Sequence, residues 1–128
     1  MRQTIVAANW KMHKTAPEAV ELAREMRTKL DAAGRVEVVL CPPFTALHAV
    51  AAALEGASIA LGAQNVHWEN EGAFTGEISP SMLREAGCRY VIIGHSERRT
   101  WFHESDDAVR RKVGAVLAAG LRPIVCVG

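Results

Sequence analysis

The hydrophobic positions of this chain fall into two alternating patterns. Short apolar runs rich in β-branched residues predict five strands that are mostly buried on both faces. They lie at 4–8, 36–41, 58–63, 90–93 and 121–127. Between them, apolar residues recur at helical spacing in four segments, each followed by a glycine that can end a helix. These glycines are Gly34, Gly56, Gly87 and Gly120. The alternation predicts one α/β domain over residues 1–128, without an internal boundary.

The predicted helices begin at recognisable capping residues. Thr15 with Glu18 matches a capping box, and Ser79 precedes a proline that suits the first helical turn. Ser105 opens the last predicted helix, where two aspartates favour the positive end of the helix dipole. The buried face of that helix is predicted to comprise Val109, Val113, Val116 and Leu117. The face of the second helix is predicted to comprise Phe44, Leu47, Val50 and Leu54.

Alternating strands and helices leave two main architectures, an open doubly wound sheet or part of a (β/α)₈ barrel. A dinucleotide-binding sheet would carry a glycine-rich turn after its first strand. That turn is Asn9-Trp10-Lys11-Met12 here and contains no glycine. The doubly wound alternative is therefore the weaker of the two.

Composition and charge exclude several functions. Hydrophobic residues make up 49% of the chain, charged residues 23%, and the net charge is +1. No global field therefore favours nucleic acid or an anionic membrane. Three cysteines without a C-x-x-C spacing argue against a disulfide framework or a zinc site and favour a reducing cytosol. No metal centre, signal peptide or membrane span is predicted.

Polar side chains stand at the carboxyl ends of the predicted strands. Gly94 ends the 90–93 run, and His95-Ser96-Glu97-Arg98 follows at once. Asn9 and Lys11 follow the first strand in the same way. Ligands bind at this edge of a parallel sheet, so these residues are candidates for a site. Considered singly, His95 could equally bond a neighbouring loop, Asn9 could form a turn, and Lys11 could lie on a solvated surface.

One connection is longer than the others. The segment from Gln64 to Glu77 contains two aromatic residues and two glycines, and loops of that length are usually functional. Exposed aromatic residues would suggest a surface for a protein partner. The alternative is a loop that folds back on its own domain.

The chain resembles the triosephosphate isomerase family over its whole length. Four motifs in order carry the resemblance: 8–12 (ANWKM), 62–65 (GAQN), 72–79 (GAFTGEIS) and 91–99 (VIIGHSERR). The resemblance implies a (β/α)₈ barrel of which this chain holds (βα)₄β, with the site at the carboxyl-terminal mouth. It also implies a cytoplasmic enzyme that works as a homodimer without a cofactor and takes part in glycolysis and gluconeogenesis. Its reaction would interconvert dihydroxyacetone phosphate and D-glyceraldehyde 3-phosphate through an enediolate.

The resemblance also implies a role for each motif residue. His95 would be the catalytic electrophile, acting as a neutral imidazole, and Lys11 would complement the charge of the phosphate and enediolate. Glu97 would pair with Lys11, and Asn9 would contact substrate. Ser96 would hydrogen-bond the catalytic base in the open state. The dimer would form through the 65–77 loop, where Thr75 would reach the other subunit's site.

The resemblance ends after the fifth strand, about halfway through the expected barrel. The family's catalytic glutamate, its lid loop and its phosphate-gripping loops would all lie beyond Gly128. We therefore expect the 128 residues alone to be inactive. The alternative function is a half-barrel that binds a phosphorylated ligand or a protein partner without turnover. The sequence does not decide why the chain stops there, whether a second chain supplies the missing half, or the oligomeric state.

Overall fold

The computed structural model describes residues 2–31 and 34–128, which form five parallel strands and five α-helices. The strands are β1 (Thr4–Asn9), β2 (Val36–Cys41), β3 (Ala60–Ala63), β4 (Tyr90–Ile93) and β5 (Arg122–Val125). The helices are α1 (Ala16–Leu30), α2 (Leu47–Ala53), α3 (Pro80–Ala86), α4 (Ser96–Trp101) and α5 (Asp106–Ala118). A 3₁₀ turn, Phe44–Ala46, leads into α2.

The strands pair in the order of the chain, β1-β2-β3-β4-β5, and every pairing is parallel. A doubly wound sheet reverses its strand order at a switch point, and this sheet does not. The strands instead form the arc of a (β/α)₈ barrel, so the predicted fold class is confirmed. All carboxyl ends therefore lie at one edge of the sheet.

Side chains alternate between the two faces of the strands. On β2, Leu40 packs toward the helices, whereas Val39 and Cys41 belong to the inner cluster. On β4, Val91 and Ile93 face the helices and Tyr90 and Ile92 face inward. Both faces of these strands are buried, as their continuous apolar runs predict.

The prediction that the strands are mostly buried is wrong for the two outer strands, β1 and β5, where exposed positions dominate β1 and both ends of β5 are exposed. Ile5 and Val6 on β1 are 41% and 55% exposed, and Val125 on β5 is 38% exposed. On β4, by contrast, Val91 and Ile93 are fully buried. Apolar strands at the ends of the arc therefore lack a covering neighbour among the described residues.

The predicted helix starts are observed. The Glu18 carboxylate accepts hydrogen bonds from the Thr15 N–H at 3.0 Å and the Thr15 hydroxyl at 2.7 Å. The Ser79 hydroxyl accepts from Met82 N–H, and the Ser105 hydroxyl accepts from Ala108 N–H. Local capping chemistry thus begins α1, α3 and α5.

Two predictions about the helices are wrong. Four helical segments were expected, but α4 adds a fifth among the described residues, since the polar sequence SERRTW has no apolar periodicity. Leu117 was expected to be buried, yet it is 59% exposed. On α5 the buried positions are Val109, Lys112 and Val116. Lys112 therefore occupies a position on the buried face, which is otherwise apolar, and it can do so because its ammonium has buried partners.

Several element boundaries also differ from prediction, including the end of β1, which extends to Asn9. β3 begins at Ala60 because the N–H and hydroxyl of Ser58 donate to the Asp31 carboxylate, at 2.8 and 2.7 Å, before strand pairing begins. β5 covers only Arg122–Val125. α1 ends at Leu30 with Asp31 as its C-cap, ahead of Gly34, and residues 32–33 lie outside the described part.

Candidate active site

The carboxyl ends of β1, β3 and β4 surround a cleft of about 190 Å³. Its lining comprises Asn9, Lys11, Met12, Phe44, Gln64, Asn65, His95, Glu97, Arg98 and Phe102. Four predicted site residues, Asn9, Lys11, His95 and Glu97, therefore meet in one place. Their strand-end positions bring them together because parallel strands end at the same edge.

The remaining two predicted residues lie elsewhere. Ser96 lines an adjacent pocket of about 180 Å³, together with Arg99 and Cys126 near the end of β5. Thr75 is exposed on the long loop and does not line the cleft. The structure thus assembles the core of the predicted site and leaves Ser96 beside it and Thr75 apart from it.

Lys11 and Glu97 form an ion pair at the mouth of the cleft. The Lys11 Nζ lies 2.6 Å from Glu97 Oε1, and about half of each side chain is exposed. The hydrogen bond and positive charge of Lys11 hold the pKa of the Glu97 carboxyl below its ordinary value. The ion pair orients the ammonium from one side.

The backbone of Lys11 adopts an unusual conformation, with φ +56° in the left-handed region. The Asn9 Oδ1 accepts the Lys11 N–H at 2.9 Å, and Gln64 Nε2 donates to the Lys11 carbonyl at 2.9 Å. Gln64 also donates to the Cys41 carbonyl at 2.8 Å. Non-glycine residues keep such a conformation when their surroundings impose it, often at functional sites. Gln64 belongs to the 62–65 motif, but no local pattern in the sequence indicates this contact.

His95 is the N-cap of α4, and its ring Nδ1 accepts the Glu97 N–H at 3.1 Å. An accepting Nδ1 carries no proton, so the neutral ring has its proton on Nε2 and can donate a hydrogen bond from there. The imidazole is one-quarter exposed within the cleft lining. This geometry suits an uncharged hydrogen-bond donor.

A buried ion pair lies behind the cleft and escaped sequence reasoning. Glu104 and Lys112 contact each other, with side chains only 3% and 4% exposed. A glutamate beyond a strand end and a lysine on an amphipathic helix are both ordinary surface patterns. The one available signal was the position of Lys112 between Val109 and Val116, on the apolar side of α5.

The long loop folds back on its own domain at its base and is exposed further along, so each of the two predicted alternatives applies to part of it. Asn65, Val66 and His67 are buried, and the His67 N–H donates to the Ile78 carbonyl at 2.8 Å. The loop thus folds back at its base, where the His67 ring lies 4.4 Å from those of both Trp68 and Phe74. Residues 69–77 are exposed.

Within residues 2–31 and 34–128, no group of three histidine, cysteine or acidic residues is arranged to hold a metal ion. Of the helices described, none has the length and apolar character needed to cross a bilayer.

Comparisons of this chain with protein families, curated proteins and solved structures all find the same family. The family model described as triosephosphate isomerase matches residues 4–128. The chain is similar to the triosephosphate isomerases of Chloroflexus aurantiacus (58% identity) and Carboxydothermus hydrogenoformans (54% identity), with 100% of this chain covered. The crystal structure of triosephosphate isomerase from Bartonella henselae superposes with a TM-score of 0.93 at 43% identity, covering 99% of this chain and 52% of that one. The chain spans about half the length of the curated relatives it matches, 51% of each of these two.

Proposed function

The chain belongs to the triosephosphate isomerase family, and we propose that it contributes the electrophilic half of an active site that interconverts dihydroxyacetone phosphate and D-glyceraldehyde 3-phosphate. The observation that carries the proposal is the cleft in which His95, whose Nδ1 accepts the Glu97 N–H, meets the Lys11–Glu97 pair. Moving a proton between adjacent carbons of an α-hydroxy carbonyl requires a base and a group that stabilises the enediolate oxygens. The cleft provides the second requirement.

Each residue has a distinct function in this proposal. His95 donates a hydrogen bond from Nε2 to the substrate oxygens as negative charge develops on them. Lys11 provides a compact positive charge for the phosphate dianion and the enediolate. Glu97 orients the Lys11 ammonium, and the Asn9 side chain contacts substrate while its oxygen holds the Lys11 N–H.

The catalytic base is proposed to come from outside this chain's described residues. Among the described residues that line the cleft, Glu97 is the only carboxylate, and Lys11 holds it in an ion pair. In this proposal that base hydrogen-bonds Ser96, which lines the adjacent pocket near the end of β5. We therefore propose that the 128 residues alone bind a phosphorylated ligand at most, without turnover.

The working form is proposed to be a cytoplasmic homodimer that uses the 65–77 loop. The exposed loop tip carries Thr75 and Phe74, the latter 43% exposed. Two large apolar side chains that line the cleft are also exposed, Met12 at 94% and Phe102 at 65%. Exposed apolar residues around a site suit a protein interface, and Thr75 would reach the partner's cleft.

The proposal is tested in a completed-barrel chimera, in which residues 1–128 are followed by the remaining half of the Chloroflexus aurantiacus relative. We expect the chimera to interconvert the two triose phosphates in a coupled assay, and the 128-residue polypeptide to show no turnover. His95→Gln in the chimera should lower kcat by about 10²–10³, the usual effect of removing one such donor.

The matched control is His48→Gln, since His48 on α2 has a side chain that is 71% exposed and pairs only with Glu85 among the described contacts. It should leave kcat unchanged. A folded chimera without isomerase activity would contradict the proposed function. A His95→Gln variant within a factor of two of the parent would contradict the role of His95.

A further inference from the structure

The buried ion pair of Glu104 and Lys112 is expensive to maintain. Charges taken out of water are costly unless they are paired and fully hydrogen-bonded, and an apolar pair of similar size often stabilises a protein as well. Both side chains are almost completely buried, at 3% and 4% exposure. The groups that this pair contacts therefore indicate what it does beyond filling space.

Glu104 contacts the His95 turn on both sides. Its Oε2 accepts the Gly94 N–H at 3.0 Å, one residue before His95. Its Oε1 accepts the Nε of Arg98 at 3.1 Å, in the first turn of α4 after His95. Gly94 has φ +73°, so the chain turns sharply at the point that the carboxylate holds. A single carboxylate thus fixes the two ends of the segment from which the imidazole projects.

Lys112 joins this turn to the long loop. Its Nζ donates to Glu104 Oε1 and to the Asn65 Oδ1, the latter at 2.8 Å. Asn65 is itself buried, lines the cleft and begins the 65–77 loop. The ammonium on α5 therefore links the start of the loop with the turn that carries His95.

The charge state of Glu104 agrees with this geometry. Burial acts to raise the pKa of its carboxyl, but the hydrogen bonds and charges of Lys112 and Arg98 outweigh burial, and the pKa lies below its ordinary value. The carboxylate is therefore ionised at neutral pH and accepts all of its hydrogen bonds as a charged acceptor.

We propose that Glu104 and Lys112 are positioning residues, which hold the His95 turn and the base of the 65–77 loop in register with each other through α5. The effect on catalysis rests on the proposed function, since it acts through the placement of His95. A purely structural pair would need only to neutralise its own charges. This pair instead directs its remaining hydrogen bonds to Gly94, Arg98 and Asn65, all of which belong to the turn or the loop.

The test uses three variants of the completed-barrel chimera: Glu104→Gln, Lys112→Met and the double variant. Each single variant leaves one buried charge without its main partner, so its melting temperature should fall. The double variant removes both charges and should melt at a higher temperature than either single one. Asp107→Asn is the control, because Asp107 makes exposed ion pairs with Arg110 and Arg111 on the same helix.

Positioning and structural support give different results in the double variant. If the pair positions His95, kcat stays reduced by about 10- to 100-fold although thermal stability recovers, with KM within twofold of the parent. A second measurement uses NMR of chimeras labelled with ¹⁵N-histidine. The ring nitrogen signals of His95 are identified by their loss in His95→Gln. Their chemical shifts should change in the double variant and stay unchanged in Asp107→Asn.

The proposal is overturned if the double variant regains a kcat within twofold of the parent, or if its His95 ring signals coincide with those of the parent. A parent chimera that is folded but inactive would refute the proposed function separately. In that case the His95 signals alone decide whether Glu104 and Lys112 position the ring.

Discussion

Gln64 provides the sharpest test of how the fold orients the Lys11 ammonium. Its side-chain amide donates to the carbonyls of Lys11 and Cys41, at 2.9 and 2.8 Å. Gln64→Leu keeps the approximate size of the side chain and removes both hydrogen bonds. The left-handed backbone of Lys11 then loses the contact that holds its carbonyl, and only the Asn9 side chain still holds its N–H.

The expected loss of stability is small. Two hydrogen bonds contribute about 2 kcal/mol together. The left-handed conformation costs a non-glycine residue about 1–2 kcal/mol, and its relaxation after the substitution recovers part of that cost. The net loss is therefore about 1 kcal/mol, which lowers the melting temperature of a barrel of the usual length by roughly 2–4 °C.

The expected loss of activity is much larger. Relaxation of the backbone moves the Lys11 ammonium away from Glu97 and from the phosphate that it is proposed to bind. A displacement of about 1 Å at a reacting centre can lower a rate by about 100-fold. We therefore expect kcat/KM of the completed-barrel chimera to fall by about 10- to 100-fold, without exceeding the loss caused by Lys11→Met.

The assay measures steady-state rates and melting temperature on the same samples. Gln3→Leu is the matched control, since the Gln3 amide makes a similar 2.8 Å hydrogen bond to the Arg35 carbonyl at the opposite end of the sheet. Gln3→Leu should lower the free energy of unfolding by a similar amount per hydrogen bond, and it should leave kcat/KM unchanged. The reasoning is refuted if Gln64→Leu retains kcat/KM within twofold of the parent. It is also refuted if the activity lost simply follows the fraction of unfolded protein.

Three further predictions concern charge, pH and the isolated polypeptide. In the completed-barrel chimera, Lys11→Met should abolish useful turnover with little change in melting temperature. The reason is that the Lys11 side chain makes little packing contact but provides a positive charge in the cleft. A collapse of the melting temperature with kcat intact would show a structural role instead. Because the pKa of Glu104 is lowered from its ordinary value of 4.5, its ionisation stabilises the native state fully above about that pH, and the contribution is lost as the pH falls through the lower native pKa. Urea titrations of the chimera between pH 3 and 6 should show this slope, and Glu104→Gln should flatten it. The 128-residue polypeptide alone should be molten, aggregated or paired through the edges of β1 and β5. Uncovered apolar surface of a few hundred Å² on these strands lowers the free energy of unfolding by several kcal/mol, which is comparable with the whole stability of a domain. Size-exclusion chromatography with thermal melting tests this, and a monodisperse monomer that melts cooperatively would contradict it.

Local sequence patterns determined most of the fold. Buried strands gave continuous apolar runs because both faces of a parallel sheet are covered, and the starts of α1, α3 and α5 followed from capping side chains that bond within three residues. The same patterns placed Asn9, Lys11, His95 and Glu97 at strand ends, and parallel pairing then gathers them at one edge. The strand-end residues of the cleft could therefore be predicted, whereas the roles of Ser96 and Thr75 depended on family resemblance and stay predictions.

The tertiary structure decided the features that depend on distant residues. Gln64 holds the carbonyl of a residue 53 positions earlier, and Lys112 reaches an asparagine 47 positions earlier. No local pattern encodes these contacts, because they exist only once the strands pair in register and α5 packs on the sheet. Helix α4 escaped prediction for a related reason: it is short and polar, and its N-cap is the imidazole of His95. The sequence thus determines where polar groups can gather, and long-range packing determines which of them hold one another in a working geometry.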